Sequence, residues 1–153
     1  MLVNMDDIDR KLITILQRDA RLPLKEIAKQ VFMSPPAVSA RIEKLEQQHI
    51  ITGYNASVDP LTVGYHIIAF INLEMEPKQK PIFNPFISSC RNVLECNCVT
   101  GHYCMLIKVA FSSTLELDSF IGQLQKFGST STQIVFSSVV PPRGVDVGAC
   151  AQQ

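Results

Sequence analysis

Apolar residues in the first fifty positions recur at helical spacings. Ile8, Leu12, Ile15 and Leu16 stand at i, i+4, i+7 and i+8, the stripe of an amphipathic helix. Asp6 or Asp7 can cap it and complement the positive helix start. Leu24, Ile27, Ala28 and Val31 repeat the pattern over a short second helix opened by Pro23. Val38, Ile42 and Leu45 repeat it over a third. That third helix begins at MSPPAVSARIEKLE, residues 33–46, with Ser34 as N-cap and Pro35 and Pro36 in the first turn. Proline fits there because those N–H groups have no intrahelical partner. Only Phe32-Met33 separates the second and third helices. So short a joint makes them cross steeply, which is the helix-turn-helix arrangement.

Beyond the helices the period changes. Residues 49–60, HIITGYNASVDP, read as a small hairpin with Gly53 at its turn, the wing of a winged helix-turn-helix. Asp59-Pro60 then breaks the chain. Strand-like runs follow at 66–75, 93–100, 103–111 and 132–140. Ile82, Phe83, Phe86, Ile87 and Cys90 mark one intervening helix, interrupted by Pro85, so that it either starts late at Asn84 or kinks. Leu117, Phe120, Ile121, Leu124 and Phe127 mark another, capped near Ser113 or Thr114. The order β-α-β-β-α-β folds into a ferredoxin-like four-stranded antiparallel sheet with both helices on one face. The class expected is therefore α+β: a winged helix-turn-helix over 1–58, a linker over 59–65, and an αβ sandwich over 66–153.

Composition sharpens this picture. The chain has 153 residues, 46% of them hydrophobic and 18% charged, against about 25% charged in ordinary domains. The strands at 66–75 and 103–111 are apolar at both parities except at Asn72, Glu74 and Lys108. Both faces of such a sheet call for cover, and a second copy of the same sheet is the economical cover for the face without helices. A homodimer through the C-terminal half is expected.

Net charge is zero, but the charge is not evenly spread. Arg10, Lys11, Arg18, Arg21, Lys25, Lys29, Arg41 and Lys44 face only Asp19, Glu26 and Glu43 across residues 10–44. Asp6, Asp7 and Asp9 interrupt any apolar leader, and no apolar run approaches the ~20 residues of a membrane span. A cytoplasmic location with no membrane partner is expected, and free thiols rather than disulfides for Cys90, Cys96, Cys98, Cys104 and Cys150.

The residues bear on two chemistries. A helix enters the major groove of DNA only if its leading residues are slim, and Ser34, Pro36, Ser39 and Ala40 are slim. Arg41 could reach guanine or phosphate, and Lys25, Lys29 and Lys44 would neutralise phosphates. The plainer reading is a three-helix bundle that contacts protein, attached to a stand-alone metabolite-binding domain. Metal or thiol chemistry fits less well. Cys96 and Cys98 point to one strand face and Cys104 to the other, a poor set for tetrahedral zinc, and the apolar surroundings do not activate a thiol. No catalytic constellation is evident, so neither an enzyme nor a cofactor is expected. The turn VTGHY at 99–103 gives backbone N–H groups open approach through Gly101, with Thr100, His102 and Tyr103 as polar tips. On chain order, Ser131, Thr132 and Gln133 would lie beside it.

The D-x-x-D-R-K-L-I opening, the D-A-R that follows, the S-P-x-x-V-x-x-R-I-x-x-L-E helix, I-I-T-G-Y and T-G-H-Y together resemble the Lrp/AsnC (feast/famine) family of transcription regulators over nearly the whole chain. The resemblance implies a DNA-binding regulator of transcription whose dimers assemble further, often to octamers. It also implies an amino-acid effector held near Thr100, Gly101, His102 and Tyr103, with Thr132 and Gln133 nearby. Many members carry Asp where Cys104 stands here, and the tail GVDVGACAQQ has no clear family role.

Overall fold

The computed structural model describes residues 5–148; Cys150 lies outside them. Three helices open the chain: α1 (Asp7–Arg18), α2 (Leu24–Val31) and α3 (Pro35–Gln47). Their start signals are those of the sequence. Asp6 caps α1 in a capping box, accepting from the Asp9 amide at 2.8 Å while the Asp9 carboxylate accepts from the Asp6 amide at 3.4 Å. Pro23 stands at the N-cap of α2. Ser34 caps α3, its Oγ accepting from the Ala37 amide at 3.4 Å. The apolar stripes meet in one core of Leu12, Ile27, Ala28, Val31 and Val38, flanked by Ile8, Ile15, Leu16 and Ile42. Each fully buried aliphatic side chain there contributes about 1.5–3 kcal/mol.

The joint between α2 and α3 turns on Phe32, which takes the left-handed conformation (φ 56°, ψ 44°) and donates its amide to the Ala28 carbonyl. Met33 donates to the same carbonyl at 3.0 Å. A left-handed residue at a helix end lets the chain reverse in two residues. Phe32 has no hydrophobic compensation for it: the ring is 92% exposed, touched only from above by the Lys11 ammonium at 5.7 Å.

The wing does not form as expected. No strand lies between Ile50 and Val58. His49 takes a left-handed turn (φ 55°), and the Ile50 and Ile51 amides both fold back onto the Leu45 carbonyl, at 2.9 and 3.2 Å. Those amides finish the helix and are lost to a hairpin. Tyr54 Oη is tied to α3 as well, donating to Glu46 Oε1 at 2.8 Å.

The second half is the expected sandwich. Strands β1 (Ile67–Met75), β2 (Val93–Cys98), β3 (Met105–Phe111) and β4 (Gly128–Ile134) form an antiparallel sheet in the order β2-β3-β1-β4. Helices α4 (Lys80–Ser89) and α5 (Thr114–Leu124) connect them. Ala69, Ile71, Leu73, Met105, Ile107 and Val109 bury one sheet face against Phe83 and Ile87 of α4 and Leu117, Phe120 and Leu124 of α5. Of the two readings left open for the first sandwich helix, the structure takes the one with proline inside: α4 starts at Lys80 and holds Pro85 within it. One boundary differs from expectation. β4 runs 128–134 rather than 132–140. Its first residues are small and polar, so apolar periodicity did not flag them. Past Ile134, the Val135 amide bonds Ile68 at 2.8 Å, and β1 then offers no further rungs. Gly128 is required at the head of β4, because a Cβ there would lie 1.8 Å from the Glu74 carbonyl oxygen.

The chain divides into two compact units, Met1–Ala56 together with Val140–Gln153, and Ser57–Val139. The C-terminal stretch, assigned to the sandwich by the sequence, groups with the helical unit.

Phe32→Gly is expected to stabilise the helical unit by about 0.5–1 kcal/mol, because glycine adopts the left-handed region without a steric cost. A thermal melt of the two proteins checks this; an unchanged or lower Tm would show that the stacked Lys11–Phe32 pair outweighs the backbone strain.

Candidate nucleic-acid interface and ligand-binding turn

The solvent side of α3 is built by elimination. Val38 and Leu45 are buried and Ile42 is half-buried, so the opposite stripe is Pro36, Ala40, Lys44 and Gln47, all exposed. The stripe begins at the Ser34 cap, where Pro35 and Pro36 carry no N–H and the Ala37 amide is taken by Ser34 Oγ, so that the helix dipole alone favours an anion. The first two positions are slim, and Lys44 carries positive charge one and two turns further on. Lys25 is exposed in the first turn of α2. Lys29 is exposed too, paired with Glu26 at 2.7 Å.

Two of the residues named from sequence lie elsewhere. Ser39 is turned off this stripe: its hydroxyl donates to Glu43 Oε1 at 3.2 Å, and it borders a cleft of about 320 Å³ lined by Leu16, Leu24, Ile42 and Tyr54 among others. Burial and then the Glu46 carboxylate push the Tyr54 hydroxyl up to about 12, so it remains a donor at that cleft across the neutral range.

Arg41 is the larger correction. Its Nη1 donates to Asp6 Oδ2 at 2.6 Å and to Asp9 Oδ1 at 2.7 Å. The guanidinium is thus spent on the capping box of α1, and Asp9, 8% exposed, is the one buried charged residue among those described. A buried carboxylate requires such a partner. The Asp9 backbone N–H first, and Arg41 second, hold the Asp6 carboxyl below its ordinary value; Asp6 and then Asp9 raise that of Arg41. The sequence contained the parts of this clamp, two acids three residues apart at a helix start and one arginine on a helix that must cross it. Nothing in their spacing fixed the rotation of α3 that joins them.

In the second unit the turn between β2 and β3 keeps the expected pairing of residue 99 with residue 104, around the four residues 100–103. The Val99 amide donates to the Cys104 carbonyl at 3.0 Å, and Gly101 takes φ 116°, with nothing within 4 Å of where a Cβ would stand. Thr100, Gly101 and His102 are exposed and Tyr103 is half-buried. The imidazole Nε2 of His102 lies 3.4 Å from Glu74 Oε2, and its ring meets that of Tyr103 edge-on at 4.9 Å.

The sheet register corrects the placement of Thr132 and Gln133. Cys104 bonds the Leu73 carbonyl, and Leu73 to Met75 pair with Thr130 to Gly128. The part of β4 level with the turn is therefore 128–130. Thr132 pairs with Ile71 and Gln133 with Phe70, further along the sheet. Alternation also puts the two on opposite faces. Gln133 lies on the face without helices, accepting from Asn72 Nδ2 at 3.2 Å. The strand was expected to start four residues later, which slid this pair toward the turn.

Cys104 stands against the end of β1, its thiol within 3.5 Å of the Leu73 and Met75 carbonyl oxygens. Cys90, Cys96, Cys98 and Cys104 are free thiols. Among the described residues there is no group of three or more metal-ligating side chains, and no helix is long and apolar enough to cross a membrane.

A helix-turn-helix unit with one exposed, capped helix, joined to a four-stranded sandwich with an open-approach turn, defines a DNA-binding protein with a ligand-binding domain. Comparison with known proteins is specific. The profile of the AsnC-type helix-turn-helix domain matches residues 5–46, and that of the Lrp/AsnC ligand-binding domain matches residues 68–145. The chain belongs to the Lrp/AsnC family of transcriptional regulators. It is 37% identical over 134 residues to the uncharacterized HTH-type transcriptional regulator YezC of Bacillus subtilis, covering 88% of this chain and 95% of that one. It is 31% identical over 136 residues to regulatory protein AsnC of Haemophilus influenzae, covering 86% and 91%. Among solved structures, E. coli AsnC superposes with a TM-score of 0.84 at 31% identity over 94% of this chain and 99% of that one. B. subtilis LrpC does so with 0.86 at 26% identity over 91% and 99%.

Asp6, with its carboxyl held low in the folded state, contributes stability at neutral pH that is lost as pH falls through that lowered value, below about pH 4. Arg41→Ala is expected to lower the Tm of the helical unit at pH 7 and to flatten this acid limb, because the partner that favours the charged carboxylate is gone. Melts from pH 7 to pH 3 check it; parallel curves for the two proteins would show that the clamp carries no stability.

Proposed function

We propose that this regulator reads double-stranded DNA through α3, with Ser34, Pro36, Ala40 and Lys44 entering the major groove and Lys25 on the flanking phosphates. Arg41 acts on DNA only indirectly, by fixing α3 against α1, and Ser39 faces the neighbouring cleft. The observation that carries the reading is the exposed stripe of α3: it starts at a capped helix N-terminus with the positive end of the dipole, is slim for its first two turns, and then carries an ammonium group.

The sandwich unit completes the proposal. Its open face alternates with the buried one and presents Ile68, Phe70 and Leu106 half-buried beside Asn72, Glu74 and Lys108. It is less apolar than the sequence suggested, since Lys108 lies over the Phe70 ring at 5.9 Å and reaches Glu95 at 3.6 Å. A second copy covering this face would give a homodimer, and dimers would assemble to a higher oligomer such as an octamer in the cytoplasm. Two recognition helices related by a dyad would then read half-sites one helical turn, or a multiple of it, apart. The effector is a small metabolite, an amino acid, taken at the turn Thr100–Tyr103, where Gly101 leaves the backbone open. Thr132 and Gln133 contribute, if at all, from further along the sheet. The effector acts by binding one assembly state better than another and shifts DNA-competent oligomers by that difference alone.

Lys44→Ala is expected to weaken duplex binding and to reduce the slope of log affinity against log salt by about one. Fluorescence anisotropy across a salt series measures it, and an unchanged slope would remove α3 from the duplex. For the sensor, Gly101→Val forces a branched side chain into a left-handed turn and should abolish any change in DNA affinity on adding the amino acids singly. Sedimentation of the unliganded variant confirms that assembly is retained. A preserved response would place the effector elsewhere.

A further inference from the structure

The C-terminal segment, which the family reading leaves without a role, returns to the DNA-binding unit. Residues 140–148 group with the helices, not with the sandwich they leave. The contacts are specific. Arg10 on α1 donates through Nη1 to the Val147 carbonyl at 2.8 Å. Gly144 lies so close to Gln17, two turns further along α1, that a Cβ would fall 2.5 Å from Gln17 Cδ. Asp146 holds the turn that presents Val147, accepting the Gly148 amide on Oδ1 at 2.9 Å. The segment lies along α1 with Val145 76% exposed, so backbone polar groups rather than apolar burial hold it.

What Arg10 does with its other contacts gives this docking a consequence. Its Nη2 reaches the Met5 carbonyl at 3.4 Å, and its amide donates to the Asp6 carbonyl at 3.1 Å. Met5 and Asp6 are the entry to α1, and Asp6 with Asp9 holds Arg41 of α3. A continuous hydrogen-bonded path therefore runs from Val147 through Arg10 to the α1 cap and on to the recognition helix.

We infer that residues 140–148 are a positioning strap of the DNA-binding unit: by docking on Arg10 and Gln17 they hold the α1 cap, and through the Asp6/Asp9–Arg41 clamp they set the pose of α3. The strap touches no DNA. This role rests on α3 being the reading helix, and the test separates the two claims.

Three proteins are compared with the full chain: a deletion of 140–153, Asp146→Ala, which opens the turn behind the Val147 carbonyl without touching α1, and Lys44→Ala as the direct-contact control. The probe is a random-sequence duplex of about three helical turns. The deletion and Asp146→Ala should speed amide exchange in the first turn of α1 and weaken the duplex about three- to tenfold, the scale of one or two lost hydrogen bonds, with an unchanged salt slope and unchanged sedimentation mass. Unchanged α1 exchange in both would overturn the strap, as would a loss of affinity that tracks a fall in assembly mass or a shallower salt slope. If Lys44→Ala leaves binding intact while the strap variants loosen α1, the strap stands as a brace of the helical unit and the reading role of α3 fails.

Discussion

One guanidinium between two carboxylates holds the DNA-reading part of this protein in shape. Three short helices with a core of a dozen or so apolar side chains make a marginal unit, and apolar contacts alone leave helices free to slide or roll by small amounts. Arg41 removes that freedom. Its bonds to Asp6 and Asp9 are directional and charge-assisted. They attach the middle of α3 to the N-terminus of α1, far from the tight joint at Phe32. Fixed at two places, α3 has one pose, and the slim stripe from Pro36 to Gln47 faces solvent as a consequence. The same carboxylates cap α1, so helix formation and helix placement depend on one cluster of charge.

The sandwich unit is governed by a different constraint. β1 is paired on both edges from Ala69 to Leu73 and is buried at every second residue from Ala69. That register settles the rest. It places Gly128 where only glycine fits, puts the 99–104 turn level with the start of β4, and leaves one face without helices. The turn is held at its base by backbone bonds from Val99 and Cys104, and at its tip Gly101 has open space around it while His102 lies near Glu74. Cys104 belongs to the base. Its thiol lies against the carbonyl oxygens ending β1, so this side chain bonds inward to the strand.

Much of this was legible in the residues. The three helices, the Ser34 cap, the four-stranded antiparallel sheet and the pairing of residue 99 with 104 follow from periodicity, capping chemistry and crossover handedness, which are local or nearly so. The failures have a common cause. The wing was inferred from Ile50, Ile51 and Gly53 in sequence, but the isoleucine amides were already claimed by the end of α3. The last strand was placed by its apolar residues, Val135 to Val140, whereas the sheet recruits the polar run from Gly128 because β1 needs partners there. Arg41 was assigned outward by charge, although two acids thirty-odd residues earlier had the stronger claim. In each case a backbone or charged group had a competing partner, and that competition is decided in three dimensions.

Competition of this kind also bears on how a sandwich that binds a metabolite can influence a helix that reads DNA. A small molecule at an open turn can contribute only a few hydrogen bonds, and its effect is bounded by its differential affinity. The helical unit amplifies so small a difference only if its own pose is itself finely held. A unit locked by a large core would ignore the signal. One held by a clamp of one guanidinium on two carboxylates responds to the loss of a single bond. The economy of the core and the reliance on charge at the α1 cap are therefore parts of the same design: a few directional bonds define the orientation of α3.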